Sequence, residues 1–428
     1  MKSLLNHKFV GNIQVPGDKS ITHRALMMAS LAEGTSTIKS PLKSDDTYRT
    51  SEIMSQLGVR ITDEKGQITV DSPGAENFKV PGDVLYTGNS GTTTRLLMGL
   101  ISGLGINATI EGDDSIAIRP MDRVSGPLGK MGADISLKEG RYPPIKIKPC
   151  TLKGIEYNMP VASAQVKSAI LFAGLFAEGE TIVHEEFKSR DHTEIMLEQF
   201  GVDIAVDGLT VKLQGNQKLK PQDVLVPGDI SSAAFLMVLA AITEGSDIFI
   251  KDVSLNESRS GIIDVFRQMN ADIEVDKTST DGEAIGNVRV KHSKELTSFE
   301  ISGDIIPRLI DEIPVLAVLG AFGSSPSIIK DAKELRFKET DRLRAVIEEL
   351  SKFGIQFEEF DDGFIVHPVS EIRLSDNDFN GYHDHRIIMM LLVMGIAAGK
   401  DINIDDPSAI SISYPEFLKD LEKLKQAR

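Results

Sequence analysis

A mixed α/β fold of two domains, built from repeated βαβαββ units, is the class this sequence predicts. The chain has 428 residues, enough for two or three domains of ordinary size. One pattern occurs six times: an extended apolar stretch, a polar or glycine-rich break, a helix of small and apolar residues, a glycine, and a second strand. Its period of roughly 65 to 80 residues is longer than that of ordinary solenoid repeats, so each copy should be a small block with its own strands and helices.

The first copy runs from Val15-Pro16-Gly17-Asp18-Lys19-Ser20 into a helix ending near Gly34. The second runs from Tyr86-Thr87-Gly88-Asn89-Ser90-Gly91 to near Gly105, and the third from Met159-Pro160-Val161-Ala162-Ser163-Ala164-Gln165 to near Gly179. The fourth opens at Val226-Pro227-Gly228-Asp229-Ile230-Ser231-Ser232 and ends near Gly245. Ile301-Ser302-Gly303-Asp304, running to about Gly323, and Gly381-Tyr382-His383-Asp384-His385-Arg386, running to Gly399, complete the set. Each copy sets a helix N-terminus beside a polar break, where unpaired N–H groups and the helix dipole attract anions.

A second amphipathic helix and a pair of strands follow. Ser44-Asp45-Asp46-Thr47 caps a helix that carries Ile53, Met54 and Leu57 at helical spacing and stops at Gly58. Strands 59–62 and 67–70 come next, joined by the turn Asp63-Glu64-Lys65-Gly66. The same order returns after Ser189-Arg190-Asp191-His192, with strands 202–205 and 209–212. It returns again after Lys338-Glu339-Thr340-Asp341, where Leu343, Val346, Ile347 and Leu350 mark a helix and 355–358 and 364–366 the strands. Three units per domain is the economical arrangement. The C-terminal helix near 415–426 should complete a unit opened by the N-terminal strand 9–15, so the chain crosses between domains near residues 18 and 226. The expected domains are therefore 19–226, and 1–18 together with 227–428, joined by a two-strand hinge that permits closure over a ligand.

A composition of 41% hydrophobic and 26% charged residues is that of a globular protein. The first eight residues contain no apolar signal region, and the longest apolar run, 387–399, is well short of the ~18 residues that span a bilayer. Neither export nor a membrane is expected. The single Cys150 cannot form an internal disulfide, so a reducing cytoplasm is the expected compartment. A net charge of −16 argues against a nucleic-acid partner, which needs a broad basic surface. The cations are local instead: Lys19, Arg24, Arg95, Arg119, Arg123, Arg190, Lys338, Arg342 and Arg386 lie in or beside the polar breaks. Small anionic ligands suit that distribution.

Each motif has a plain reading beside the functional one. Gly17-Asp18-Lys19-Ser20 is not a nucleotide P-loop, because Asp18 separates Gly17 from the lysine and Asn12 stands five residues before Gly17, where the pattern needs another glycine. No G-x-G-x-x-G follows a strand, and no H-E-x-x-H or G-x-S-x-G occurs, which leaves dinucleotide, zincin and hydrolase readings without support. Lys19 and Arg24 read either as a pair on roughly one helix face or as two solvated cations. Gly88-Asn89-Ser90-Gly91-Thr92-Thr93-Thr94-Arg95 is either an oxyanion cradle or a tight capped turn. Arg119, before Pro120, is biased to extended backbone and is otherwise an ordinary surface charge. Lys338 and Arg342 stand four apart at a predicted helix start, where an anion between them would relieve their repulsion; Glu339 and Asp341 also read as caps. Asp311-Glu312 sits among apolar residues, as a candidate base does. His383-Asp384-His385 imitates a metal cluster, but no further ligand pair is near and Arg386 opposes a cation, so no metal is expected.

Taken in order, Pro16-Gly17-Asp18-Lys19-Ser20, Gly88-Asn89-Ser90-Gly91-Thr92, Arg119-Pro120-Met121, Ser163-Ala164-Gln165, Lys338-Glu339-Thr340-Asp341-Arg342 and Asp384-His385-Arg386 resemble the enolpyruvyl transferases over essentially the full length. The resemblance implies an inside-out barrel of six βαβαββ units, three per domain. It implies transfer of the carboxyvinyl group of phosphoenolpyruvate to the 5-hydroxyl of shikimate 3-phosphate, through a tetrahedral intermediate, on the way to chorismate and the aromatic amino acids. By the same resemblance Lys19, Ser20, Arg24, Ser163, Ala164, Gln165, Arg190, Asp311 and Lys338 hold shikimate 3-phosphate. Lys19, Gly91, Arg119, Gln165, Arg342 and Arg386 surround phosphoenolpyruvate, and Asp311, Glu339 and Lys19 are catalytic. No cofactor is implied, and a monomer is expected.

Ile412 departs from the pattern, standing where some members carry a lysine for phosphoenolpyruvate, and Leu96 follows Arg95 where many have proline. Inhibition by the phosphonate glyphosate is nevertheless expected, since Gly91 leaves space for it. The sister enzyme acting on UDP-N-acetylglucosamine is an alternative, but its usual cysteine is replaced here by the segment Ser115-Ile116-Ala117-Ile118. RNA 3′-terminal phosphate cyclases share only the βαβαββ unit, and a non-catalytic binding protein would have no reason to keep Asp311 and Glu339.

Overall fold

In the computed structural model, which describes residues 2–64, 66–279 and 282–427, the chain divides into two units, Gly17–Val226 and Met1–Pro16 with Pro227–Arg428. The fold is mixed α/β, and each unit has its own apolar core.

Gly17–Val226 repeats one sheet topology three times. In the sheet ordered Leu85–Tyr86, Ala108–Glu111, Tyr142–Lys148, Asp134–Lys138 the first two strands are parallel and the rest antiparallel. The sheet ordered Glu156–Asn158, Glu180–His184, Thr210–Gln214, Ile204–Asp207 is built the same way. A parallel pair needs a crossover, and the helices Gly91–Leu104 and Ala164–Gly174 supply it. These helices pack together so closely that a Cβ on Gly99 would lie 2.0 Å from the Ala169 carbonyl oxygen, so no larger residue fits there. The third sheet, Val224–Leu225, Gly34–Lys39, Gln67–Ser72, Arg60–Glu64, takes its first strand from the far end of the unit. Glu64 pairs with Gln67 across its hairpin; the turn expected at 63–66 includes Lys65, which lies outside the described residues.

The other unit contains a five-stranded sheet ordered Ile273–Ser279, Ile285–Lys291, Asp247–Ser254, His7–Ile13, Lys425–Ala427. His7–Ile13 runs parallel to Asp247–Ser254 and antiparallel to Lys425–Ala427. A four-stranded sheet, Glu300–Ile301, Ser327–Ile329, Gly363–Val366, Phe357–Phe360, repeats the topology of the first unit. The sixth repeat departs from the expected βαβαββ. Asp378–Phe379 and Asn403–Ile404 pair alone, and the chain then passes through the 3₁₀ turn Pro407–Ile412 and the helix Phe417–Leu424 into Lys425–Ala427. Asp406 and Pro407 start that turn, Asp406 accepting from the Ser408 N–H at 3.0 Å, and the strand that follows the helix, Lys425–Ala427, pairs with His7–Ile13.

Ile230–Ile242 and Ile313–Ala321 are buried at every position, as helices apolar on all sides must be. The helix expected from 304 to 323 is broken into Gly303–Ile305, Ile306–Leu309 and Ile313–Ala321. Pro307 and Pro314 each restart a first turn, and Asp311 and Glu312 stand in the gap. Among the described residues no helix is long and apolar enough to cross a membrane.

Candidate active site

In Gly17–Val226 the candidate residues gather at the starts of three helices. Asp18 caps Lys19–Leu31, accepting from the Ile21 N–H at 2.9 Å. Lys19 and Arg24 do not share a face, contrary to expectation: five residues of helix separate them by about 140°. Lys19 Nζ lies 3.2 Å from Asp46 Oδ2, on the first turn of Asp45–Gln56. Arg24, only 2% exposed, donates to Thr193 Oγ1 at 2.7 Å, Ser168 Oγ at 2.7 Å and the Ser20 carbonyl at 3.0 Å. Ser168 Oγ in turn donates to the Ala164 carbonyl at 2.6 Å and lies 2.6 Å from Thr193 Oγ1. The Arg24 guanidinium is thereby fixed in place by protein oxygens.

His23 is buried between Lys19 and Arg24 on the same helix, with Nδ1 2.8 Å from Thr50 Oγ1. Burial, and then the charges of Lys19 and Arg24, hold its pKa well below the ordinary 6.5, so the ring is neutral.

A second group surrounds Gly91, the first residue of Gly91–Leu104, where Ser90 caps by accepting from the Thr93 N–H at 3.1 Å. A Cβ on Gly91 would stand 3.0 Å from an Arg119 terminal nitrogen and 3.6 Å from one of Arg95. Arg119 donates to Ser115 Oγ at 3.1 Å, a residue of the helical turn Asp114–Ala117 that shortly precedes it. Arg95 donates to Gln165 Oε1 at 2.6 Å, and Gln165 Nε2 donates to Thr92 Oγ1 at 3.1 Å. Gly91, Arg95, Arg119 and Gln165 therefore converge, with Ser163, the cap of Ala164–Gly174, two residues from Gln165. Arg190 is half-buried and immediately precedes Asp191, the residue that starts His192–Gln199.

Sequence reasoning missed a third group. Lys167 is fully buried and donates to Glu185 Oε2 at 2.8 Å and Glu194 Oε1 at 2.6 Å. Burial alone would lower the ammonium's pKa, but Glu194 and Glu185 outweigh it and hold Lys167 protonated. Glu185 Oε1 accepts from the Ser189 N–H at 3.2 Å and from the Ser189 hydroxyl. The available signal was one lysine in a helix of otherwise uncharged, mostly small and apolar residues.

In the other unit Arg342, 1% exposed at its side chain, is ringed by carboxylates. Its Nε and one terminal nitrogen reach Asp384 at 2.7 and 3.2 Å; that nitrogen also reaches Glu339 at 2.6 Å, and the other reaches Asp311 at 3.2 Å. Burial would lower the guanidinium's pKa, yet Asp384, Glu339 and Asp311 together raise it. Lys338 Nζ lies 3.4 Å from Asp311 Oδ1, and an Arg259 terminal nitrogen lies 3.7 Å from Oδ2. The expectation that Lys338 and Arg342 share a helix face is corrected here. Lys338 is extended, Asp341 is the cap, and Arg342 is the first helical residue. The anion between the two cations is the carboxylate of Asp311.

Arg259 was not singled out from the sequence, and Asp384 and Ser231, though quoted within motifs, were given no place in the site. Arg259 donates to Asp229 at 3.0 Å and to Ser231 Oγ at 2.7 Å, and the Ser231 hydroxyl donates to Glu312. Asp384 caps His385–Ala397, accepting from the Arg386 N–H at 2.9 Å, so one carboxylate fixes both Arg342 and the backbone of Arg386. Arg386 is 6% exposed, and its guanidinium meets no hydrogen-bond or ion-pair partner among the described residues. His383 turns to Asp406, 3.4 Å away, and takes no part in a cluster with Asp384.

The family model of EPSP synthase (3-phosphoshikimate 1-carboxyvinyltransferase) matches residues 6–421. The 3-phosphoshikimate 1-carboxyvinyltransferase of Staphylococcus epidermidis is 48% identical over 423 residues, covering 98% of this chain and 97% of the relative. The solved EPSP synthase of Acinetobacter baumannii has a TM-score of 0.87 at 39% identity, over 98% of this chain and 96% of that one. The enolpyruvyl transferase NikO of Streptomyces tendae shares the fold, with a TM-score of 0.81 at 18% identity over 99% of this chain and 96% of that one. With likeness of this extent running through both units, the chain belongs to the EPSP synthase family.

Proposed function

We infer that the chain is a 3-phosphoshikimate 1-carboxyvinyltransferase, which moves the carboxyvinyl group of phosphoenolpyruvate to the 5-hydroxyl of shikimate 3-phosphate and releases phosphate, within chorismate and aromatic amino acid biosynthesis. Beyond family membership, the observation that carries the reading is the cluster of Asp311 and Glu339 on a shared arginine, 3.2 and 2.6 Å from its nitrogens. Addition of an alcohol across an enol ester needs a base for the hydroxyl proton and an acid for the methylene carbon. Asp311 takes the hydroxyl proton as oxygen attacks the central carbon, and Glu339 gives a proton to the methylene, which becomes a methyl group. The tetrahedral adduct then loses phosphate and one methyl proton, restoring the double bond. Lys19 stabilises the charge that builds on the departing phosphate.

Lys19, Ser20, Arg24, Ser163, Ala164, Gln165, Arg190, Asp311 and Lys338 hold shikimate 3-phosphate in this reading, and Lys19, Gly91, Arg119, Gln165, Arg342 and Arg386 hold phosphoenolpyruvate. Arg386 supports the assignment most directly, because a buried guanidinium that meets no partner among the described residues is suited to a bidentate anion. For Arg342 only one N–H remains beyond its four carboxylate bonds, so its contribution is mainly to hold the acid and base in place. The units are proposed to be three-repeat halves of an inside-out barrel, the last repeat abbreviated. A monomer acting in the cytoplasm, without a cofactor, completes the proposal.

Phosphate release measured with both substrates, and with each omitted in turn, tests the reading. Release only when both are present supports it. Release with UDP-N-acetylglucosamine in place of shikimate 3-phosphate would overturn the choice of acceptor.

A further inference from the structure

The buried trio of Lys167, Glu185 and Glu194 takes no part in the chemistry above, and its side chains are 1%, 2% and 3% exposed. Three charges removed from water are retained against several kcal/mol of desolvation for each ion, so a purely apolar packing would serve stability as well. The connections it makes are more informative. Lys167 stands in the first turns of Ala164–Gly174, three residues after Ala164 and two after Gln165. Through Glu185 it reaches Ser189, whose N–H and hydroxyl both bond to that carboxylate, and Ser189 is the residue before Arg190. Through Glu194 it reaches the first turn of His192–Gln199, where the neighbouring Thr193 accepts from Arg24 Nε at 2.7 Å. Ser168, the residue after Lys167, accepts from Arg24 as well, at 2.7 Å.

We propose that Lys167 is a positioning residue for shikimate 3-phosphate, setting Arg24 through Glu194 and Thr193 and Arg190 through Glu185 and Ser189. This rests on the assignment of Arg24 and Arg190 to that substrate. Arg342, assigned to phosphoenolpyruvate, is held instead by Asp384, Glu339 and Asp311, so the effect falls chiefly on shikimate 3-phosphate.

The test is steady-state kinetics with each substrate varied in turn, on Glu185→Gln, Lys167→Met and Arg190→Ala. Glu185→Gln preserves shape and leaves Lys167 paired to Glu194, so it remains informative where Lys167→Met fails to fold. The expected result is a KM for shikimate 3-phosphate raised about tenfold or more in Glu185→Gln, with the KM for phosphoenolpyruvate within about threefold of its starting value. Combining Glu185→Gln with Arg190→Ala should add little to Arg190→Ala alone, since one acts through the other. A general structural role would instead move both KM values, or neither. If Arg190→Ala raises the shikimate 3-phosphate KM and Glu185→Gln does not, the positioning role is wrong while the site assignment stands. If Arg190→Ala itself leaves that KM unchanged, the assignment beneath the proposal is wrong.

Discussion

Arg342→Lys keeps the positive charge and removes the guanidinium fork. Arg342 makes four hydrogen bonds to three carboxylates, at 2.7 and 3.2 Å to Asp384, 2.6 Å to Glu339 and 3.2 Å to Asp311. A lysine has three donors on a single nitrogen. One bond is lost by count, and a second because the original bonds leave from three separate nitrogens. At about 1.5–3 kcal/mol for a bond to a charged group, the loss is about 3–6 kcal/mol, against a typical total stability of about 5–15 kcal/mol. The midpoint of urea unfolding should fall accordingly. Asp311 and Glu339 lose their common anchor, so kcat should drop about 10²-fold or more, with a smaller rise in the KM for phosphoenolpyruvate. A variant that keeps its kcat and urea midpoint and shows only a raised KM would refute this reasoning. The guanidinium would then be a substrate contact rather than a clamp.

Asp311→Asn and Glu339→Gln should each lower kcat about 10²-fold or more while substrate binding, followed by calorimetry, weakens far less; unchanged turnover would remove the residue from the mechanism. Gly91→Ala suits the start of a helix but puts a methyl group 3.0 Å from Arg119, so the KM for phosphoenolpyruvate and the inhibition constant for glyphosate should both rise without loss of thermal stability. His23 is neutral when folded and charges when unfolded below its ordinary 6.5, so the unfolded state binds the extra proton and stability falls as pH drops. The slope is at most about 1.4 kcal/mol per pH unit, and His23→Gln should flatten the pH dependence of the urea midpoint between about pH 6.5 and 5.

Much of this was legible because it is local. Caps, glycines and apolar periodicity within one repeat announce Lys19–Leu31, Gly91–Leu104 and Ala164–Gly174, and the polar breaks before them mark candidate anion contacts. Partnerships across long stretches of chain were not legible. Nothing near Lys167 indicates that Glu185 and Glu194 will meet it, and nothing near Arg342 indicates that Asp384, 42 residues on, will take two of its bonds. The error at Lys338 has the same origin. Helical periodicity extends naturally back to Lys338, but the Asp341 side chain bonds the Arg344 N–H at 3.1 Å and starts the helix later. Asp311 then draws Lys338 aside. The abbreviated sixth repeat was hidden because its helix, His385–Ala397, is as apolar as those of the complete repeats.

The sheet that joins His7–Ile13 to Asp247–Ser254 and Lys425–Ala427 has a consequence for the order in which the protein can be made. On a ribosome, His7–Ile13 finds no ladder partner until Asp247–Ser254 has been synthesised, and its other edge stays bare until Lys425–Ala427 has left the tunnel. In Gly17–Val226 the wait is one-sided, because Gly34–Lys39 pairs early with Gln67–Ser72 and only its other edge waits for Val224–Leu225. The middle of the chain can therefore be finished while its two ends are still strangers. An unpaired strand held open for that long is a site for wrong pairing with a neighbouring chain. The strand to protect in such a nascent chain is His7–Ile13, until both of its partners have been made.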